Sequence, residues 1–199
     1  MTVSSLMEMG ITPLNEGVNH INIYSKSNNA LGKFLTNMNN YPVETPHGKF
    51  RSVESYYHCR KLLKFFSLID TGMTQSRIDS IATMFMMKDC YDSKALYKKT
   101  MGVIHQGIKA DGLNKTVDDI IVEAVTSDEF RNDILAAIDW KIQNAIPEFK
   151  DLMLENTLPY HHYYYYGKID NCKIHYLLDH YWMLDGIVDS IEKLRNSHG

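Results

Sequence analysis

The chain has 199 residues, 44% hydrophobic and 23% charged, with a net charge of −3; it is long enough to bury a proper core, and that charge excludes a constitutive duplex-DNA binder, which needs a strong basic surplus. No apolar run reaches ~18 residues, so no membrane span is expected. Three widely spaced cysteines, Cys59, Cys90 and Cys172, and a start without a basic and apolar leader pattern point to a reducing, cytoplasmic setting.

In chain order, residues 1–19 read as a lead segment with short helical or turn pieces, and 20–199 as one domain. A β-type run, Ile21-Asn22-Ile23-Tyr24, leads into an Asn/Gly-rich turn, then Phe34-Leu35-Thr36-Asn37 and a Pro/Gly hairpin-like stretch. A helix is predicted over about 52–67, with Ser52 as its N-cap. Asp70-Thr71-Gly72 breaks the pattern. Helical segments follow at about 74–87, 91–109, 116–125, 128–143 and 147–154, with Asp111-Gly112 as a loop. Asp128 and Glu129 suit a first turn, and Pro147 suits a first helical position. Residues 155–170 read as irregular and aromatic, and two short helices, about 172–182 and 184–196, close the chain. The predicted fold is mainly α with a small N-terminal β element, an α+β single compact domain.

The helix over 52–67 carries the chemistry. At about 100° per residue, Tyr57, His58 and Lys61 fall within roughly 60° of Glu54, beside a broad apolar face formed by Tyr56, Cys59, Leu62, Leu63 and Phe66. A carboxylate and an amine seven residues apart therefore face the same way. This is either a solvated polar stripe or a reactive edge. Arg51, Arg60, Lys61 and Lys64 form a basic cluster that suits a phosphate or a solvated helix flank.

Other constellations carry less. Cys172-x-x-His175, near His161, His162 and His180, has one zinc spacing but no second pair, so no metal is expected. Tyr160 and the run Tyr163–Tyr166 supply rings for packing or for stacking on a base, with Tyr166 as the functional candidate. No P-loop, dinucleotide fingerprint, nucleophile elbow or zinc-protease motif occurs.

The ordered pieces in residues 21–66 resemble the start of the NADAR (YbiA-like) domain family. That family has a strand reading I-x-F-Y, an S-N-F turn, a hairpin ending G-x-x-[FW], and a helix reading S-E-H-Y-[FY]-Q-x-x-K. Here they stand as Ile21-Asn22-Ile23-Tyr24, Thr36-Asn37-Met38, Gly48-Lys49-Phe50 and Val53-Glu54-Ser55-Tyr56-Tyr57-His58-Cys59-Arg60-Lys61. The Glu and Lys keep the family spacing, while His58 stands for the Gln and Val53 for the Ser. The family's D-x-[YFW]-W-G step is met by Tyr163–Gly167, with Tyr166 at the Trp and Tyr163 at the Asp. Asp170, Asp179 or Asp185 are the candidates to replace that Asp, and Leu184-Asp185-Gly186-Ile187-Val188 resembles the closing helix.

The resemblance implies an N-glycosidase that hydrolyses a ribose C1–N bond without cofactor or metal. The substrate it implies first is ADP-ribose on a nucleobase, guanine in DNA or in a nucleotide. Such an enzyme reverses DNA ADP-ribosylation and counters an ADP-ribosyltransferase toxin, as an antitoxin-like or anti-defence protein in the cytoplasm of a bacterial or phage-infected cell. N-ribosyl intermediates of riboflavin synthesis are a second substrate class. Glu54 and Lys61 are implied as catalytic, and Asn37, Tyr57, His58, Tyr166 and Gly167 as substrate-binding. The carboxylate would stabilise positive charge at C1, and the Lys would attack C1 of a ring-opened ribose or protonate the leaving nitrogen. An imine-forming Lys must be neutral, which burial favours and a neighbouring Glu opposes. A binding module that kept an ADP-ribose pocket without turnover, and an interaction protein that blocks a partner, are the alternatives.

Overall fold

A computed structural model describes residues 2–69, 72–107 and 115–198. Asp70 and Thr71, the Asp111-Gly112 loop and the last residues of the helix expected to reach 109 lie outside the described residues. The first elements are α1 (Val3–Glu8), β1 (Ile21–Asn22), α2 (Ala30–Leu35), β2 (Val43–Thr45), β3 (Gly48–Phe50) and α3 (Val53–Ile69). Then come α4 (Gln75–Met86), α5 (Cys90–Gly107), α6 (Val117–Thr126), α7 (Asp128–Gln143) and α8 (Pro147–Glu155). The chain closes with β4 (Tyr160–His161), β5 (Tyr163–Lys168), β6 (Asn171–Tyr176) and α9 (Tyr181–His198). Short 3-10 turns lie at Pro13–Asn15 and Leu178–His180. The fold is thus mainly α with a small β content, in three two-stranded sheets among the described residues. The chain divides into two compact units: Met1–Asn39 with Lys141–Gly199, and Asn40–Trp140.

In the continuous unit, α3 starts where the sequence places it. Ser52 Oγ accepts the Ser55 N–H at 3.0 Å, the N-cap bond expected of it. A chain of buried hydroxyls extends from this cap. Ser55 Oγ donates to the Lys88 carbonyl at 3.0 Å, and Ser93 Oγ donates to Ser55 Oγ at 2.9 Å. The first turn of α3 is thereby fastened to the start of α5. The β2–β3 hairpin turns at Gly48, whose φ is +116° and where an added Cβ would lie 2.3 Å from Met86 Cε. α6 begins in a capping box between Thr116 and Asp119. Tyr56, Phe65, Phe85, Phe130 and Ile134 are among the buried side chains of this unit.

In the discontinuous unit, β1 and β4 pair in parallel, Ile21 with Tyr160 and Asn22 with His161. Asn22 is fully buried and its amide completes a rung to β5: Oδ1 accepts the Tyr163 N–H and Nδ2 donates to the Tyr163 carbonyl, each at 3.2 Å. Leu6 and Ile11, in the expected lead segment, pack with Tyr163 and Tyr176. A further helix, α2, forms where only a turn was expected, because Asn29 Oδ1 accepts the Leu31 and Gly32 N–H groups at its start. At its far end the buried Lys141 amine donates to the Phe34 and Thr36 carbonyls, the latter at 2.9 Å.

The chain's last third corrects the sequence expectation. The short helix expected at 172–182 is instead strand β6 and a 3-10 turn, and α9 is one continuous helix. β5 and β6 form an antiparallel hairpin with Tyr163 opposite Tyr176 and Lys168 opposite Asn171. The cause is visible in β6. Cys172, Ile174 and Tyr176 turn inward and alternate with exposed Asn171, Lys173 and His175, a period of two that no helix satisfies.

Candidate active site

The expected stripe of α3 exists as a cluster in the continuous unit. Glu54 Oε1 and His58 Nε2 are 3.1 Å apart, one helical turn from each other. The His58 ring stacks on Tyr97 of α5, with centroids 5.0 Å apart and planes at 27°. The Lys61 Nζ sits over the same Tyr97 ring, 4.9 Å from its centroid. Tyr57 meets His58 edge-on at 5.5 Å and Phe130 of α7 at 5.2 Å. Glu54, Tyr57, His58 and Lys61 are therefore brought together, and Tyr97 joins them.

The Glu–Lys tension has a geometric resolution. Among the described residues no carboxylate lies within ion-pair distance of Lys61, and Glu54 is engaged with His58 instead. Burial lowers the Lys61 ammonium pKa, opposed by the charge of Glu54. The Tyr57 phenol is pushed up to about 12, by burial and then by Glu54. Burial also raises the Tyr97 phenol. Two buried polar atoms beside Lys61, His58 Nδ1 and the Tyr97 hydroxyl, have no hydrogen-bond partner among the described residues. Buried polar atoms are nearly always paired, so these two stand out from the usual pattern.

Two members of the basic cluster are held in ion pairs rather than solvated. Arg60 is buried; its Nε donates to Asp133 at 2.7 Å and its Nη2 to Glu129 at 3.1 Å. Lys64 pairs with the same Glu129, which holds that carboxyl below its ordinary range. These side chains line a cleft of about 310 Å³ together with His47, Ile78 and Met73. Arg51 alone of the two arginines is exposed.

The other expected site residues belong to the discontinuous unit. Asn37 follows α2, and its Nδ2 lies 3.3 Å from Met183 Sδ. Tyr166 is 63% exposed on β5. Gly167 has a φ of +101° beside the hairpin turn, a conformation glycine takes without strain. Asp170, Asp179 and Asp185, the candidates for the family Asp, are all exposed. No group of three or more His, Cys, Asp or Glu side chains among the described residues is arranged to hold a metal ion.

Sequence reasoning missed Tyr97, which lies 36 residues beyond Lys61 by number and becomes its neighbour only when α5 packs on α3. Its one local signal is the spacing of buried Tyr97 and Met101 on a helix. The chain matches no protein-family model, and no curated protein and no solved structure matches it.

Proposed function

We propose that this chain is an N-glycosidase that hydrolyses the C1–N bond of an N-linked ribose, with ADP-ribose on guanine, in DNA or in a nucleotide, as its substrate. The observation that carries the reading is Lys61. It is a part-buried amine with a lowered pKa and no carboxylate partner among the described residues, on the same helical stripe as Glu54. An amine poised toward neutrality suits attack on an aldehydic C1 or proton transfer to a leaving nitrogen. Glu54 engages His58 through Oε1, and its Oε2 has no hydrogen-bond partner among the described residues. That second oxygen is suited to stabilise the oxocarbenium-like charge that builds at C1.

In this role the protein reverses nucleobase ADP-ribosylation and counters an ADP-ribosyltransferase toxin in the cytoplasm. The test is turnover of an ADP-ribosylated oligonucleotide. Glu54→Gln should lower the rate by roughly 10²–10⁴-fold with the fold intact. Wild-type turnover by that variant removes Glu54 from the chemistry. A binding module without turnover is the second reading, favoured by the exposure of Asp170, Asp179 and Asp185. Calorimetric binding of ADP-ribose with no turnover by the parent selects it.

A further inference from the structure

The β5–β6 hairpin has two unlike faces. On the inner face Tyr163 and Tyr176 join the core with Leu6 and Ile11, and Tyr165 and Ile174 pack against them. Two buried hydrogen bonds anchor that face: the Tyr176 hydroxyl donates to the Ile11 carbonyl at 2.6 Å, and the Tyr163 hydroxyl pairs with His20 Nε2 at 2.8 Å. The outer face follows from the register. Tyr164 stands opposite His175, Tyr166 opposite Lys173, and Lys168 opposite Asn171, so these side chains share one surface. Tyr166, Lys168, Asn171, Lys173 and His175 are exposed there.

We propose that this outer face is a docking platform for single-stranded nucleic acid, with Tyr166 stacking on a base and Lys168 and Lys173 holding the neighbouring phosphates. The chemistry of the face selects that partner. Tyr166 is an exposed ring on a strand whose other side is pinned, so its presentation needs little ordering on binding. Neither lysine has a carboxylate partner among the described residues, unlike Arg60, Lys64 and Lys115, which are all paired. The hairpin's one acid is Asp170, at the turn. Besides Tyr166, the hairpin's one exposed large hydrophobic side chain is Ile169 at the turn, so the face lacks the broad apolar centre that a protein interface is built around. A planar ring flanked by cations is the combination that grips an unpaired strand, because every base offers a π-face and every linkage a phosphate. The lysine–phosphate contacts make such binding sensitive to salt, because each releases condensed counterions. This goes beyond the glycosidase reading, since strand binding requires no bond to be cleaved.

The test is fluorescence anisotropy of the whole chain with a labelled, unmodified single-stranded oligonucleotide of about 15 nucleotides, over a salt series, with the matching duplex in parallel. The parent should bind the single strand in preference to the duplex. Tyr166→Ala should weaken binding by roughly 5- to 100-fold while Tyr166→Trp retains it. The double change Lys168→Ala with Lys173→Ala should reduce the slope of log affinity against log salt by about 1.4. Thermal melts verify that these exposed positions leave the fold intact. Equal binding of strand and duplex, variants that bind as the parent does, or a parent that binds no strand at low salt would each overturn the proposal. The probe carries no ADP-ribose, so its outcome is separate from whether Glu54 and Lys61 cleave a C1–N bond.

Discussion

Lys141 offers the sharpest test of the energetics. Its side chain is 2% exposed, its amine donates to the carbonyls of Phe34 and Thr36, and it lies 4.8 Å from the centre of the Phe34 ring. A neutral amine keeps two N–H groups and so satisfies both carbonyls without a buried charge. Burial accordingly lowers its pKa from 10.5 to about 7. The unfolded chain then binds a proton that the native chain lacks between these two values. Native stability must rise with pH across that window, by about 1.4 kcal/mol per pH unit and about 5 kcal/mol in all. Below pH 7 both states hold the proton and the full penalty for burying the charge applies. Lys141→Met keeps the apolar stem and removes the titration. Urea unfolding of parent and variant at about pH 7 and about pH 9 isolates the effect, because Lys61 and Cys59 titrate alike in both. The stability of the parent relative to the variant should increase by roughly 2–2.5 kcal/mol between those two conditions, since the native amine is already half-titrated at about pH 7. The variant also loses the Lys141 bonds to the Phe34 and Thr36 carbonyls, a constant loss of about 1 kcal/mol each, although the Thr36 carbonyl still accepts the Asn39 N–H at 3.1 Å. A difference between the two proteins that does not change with pH would refute the reasoning and mean that the amine stays charged where it is buried.

Borohydride added during turnover should trap an ADP-ribose adduct on Lys61, and Lys61→Arg should be as inactive as Lys61→Ala; an active Lys61→Arg enzyme without an adduct rules out the imine. Burial first, and His161 second, lower the His20 pKa to about 4, and burial lowers His162 to about 4. Their stabilisation is complete above about pH 6.5 and is lost as pH falls toward 4, by about 3 kcal/mol for each; His20→Gln should remove its share of that acid sensitivity in urea titrations. Gly48→Ala forces a side chain into a positive φ and against Met86 Cε, and should destabilise the continuous unit by about 1–3 kcal/mol in thermal melts.

Local signals were legible where the local chain decides the outcome. The Ser52 cap, the Pro147 start and the acidic first turn of α7 all sit within a few residues of the structure they dictate. The Glu54 stripe follows from helical period alone. What stayed hidden depends on partners far along the chain. Arg60 reads as a free cation until Glu129 and Asp133 arrive from 69 and 73 residues away. Lys141, within the helix expected at about 128–143, finds its partners only in the α2 carbonyls more than 100 residues earlier. The β5–β6 alternation was present in the sequence, but four successive tyrosines carry no polar–apolar contrast, and Leu6 and Ile11 decide which of them turn inward.

The discontinuous unit also has a consequence for how the chain is made. β1 precedes the strand it pairs with by more than 130 residues: among the described residues its partner strand begins at Tyr160. By then the whole of Asn40–Trp140 has been synthesised and is free to form its own core. Until Tyr160 appears, Ile21 and Ile23 have no strand to pair with, and the edge of β1 is open to any passing chain. Pairing of β1 therefore has to wait until Asn40–Trp140 has been made. Translation that pauses between Trp140 and Tyr160 prolongs the interval in which chaperones must guard that edge.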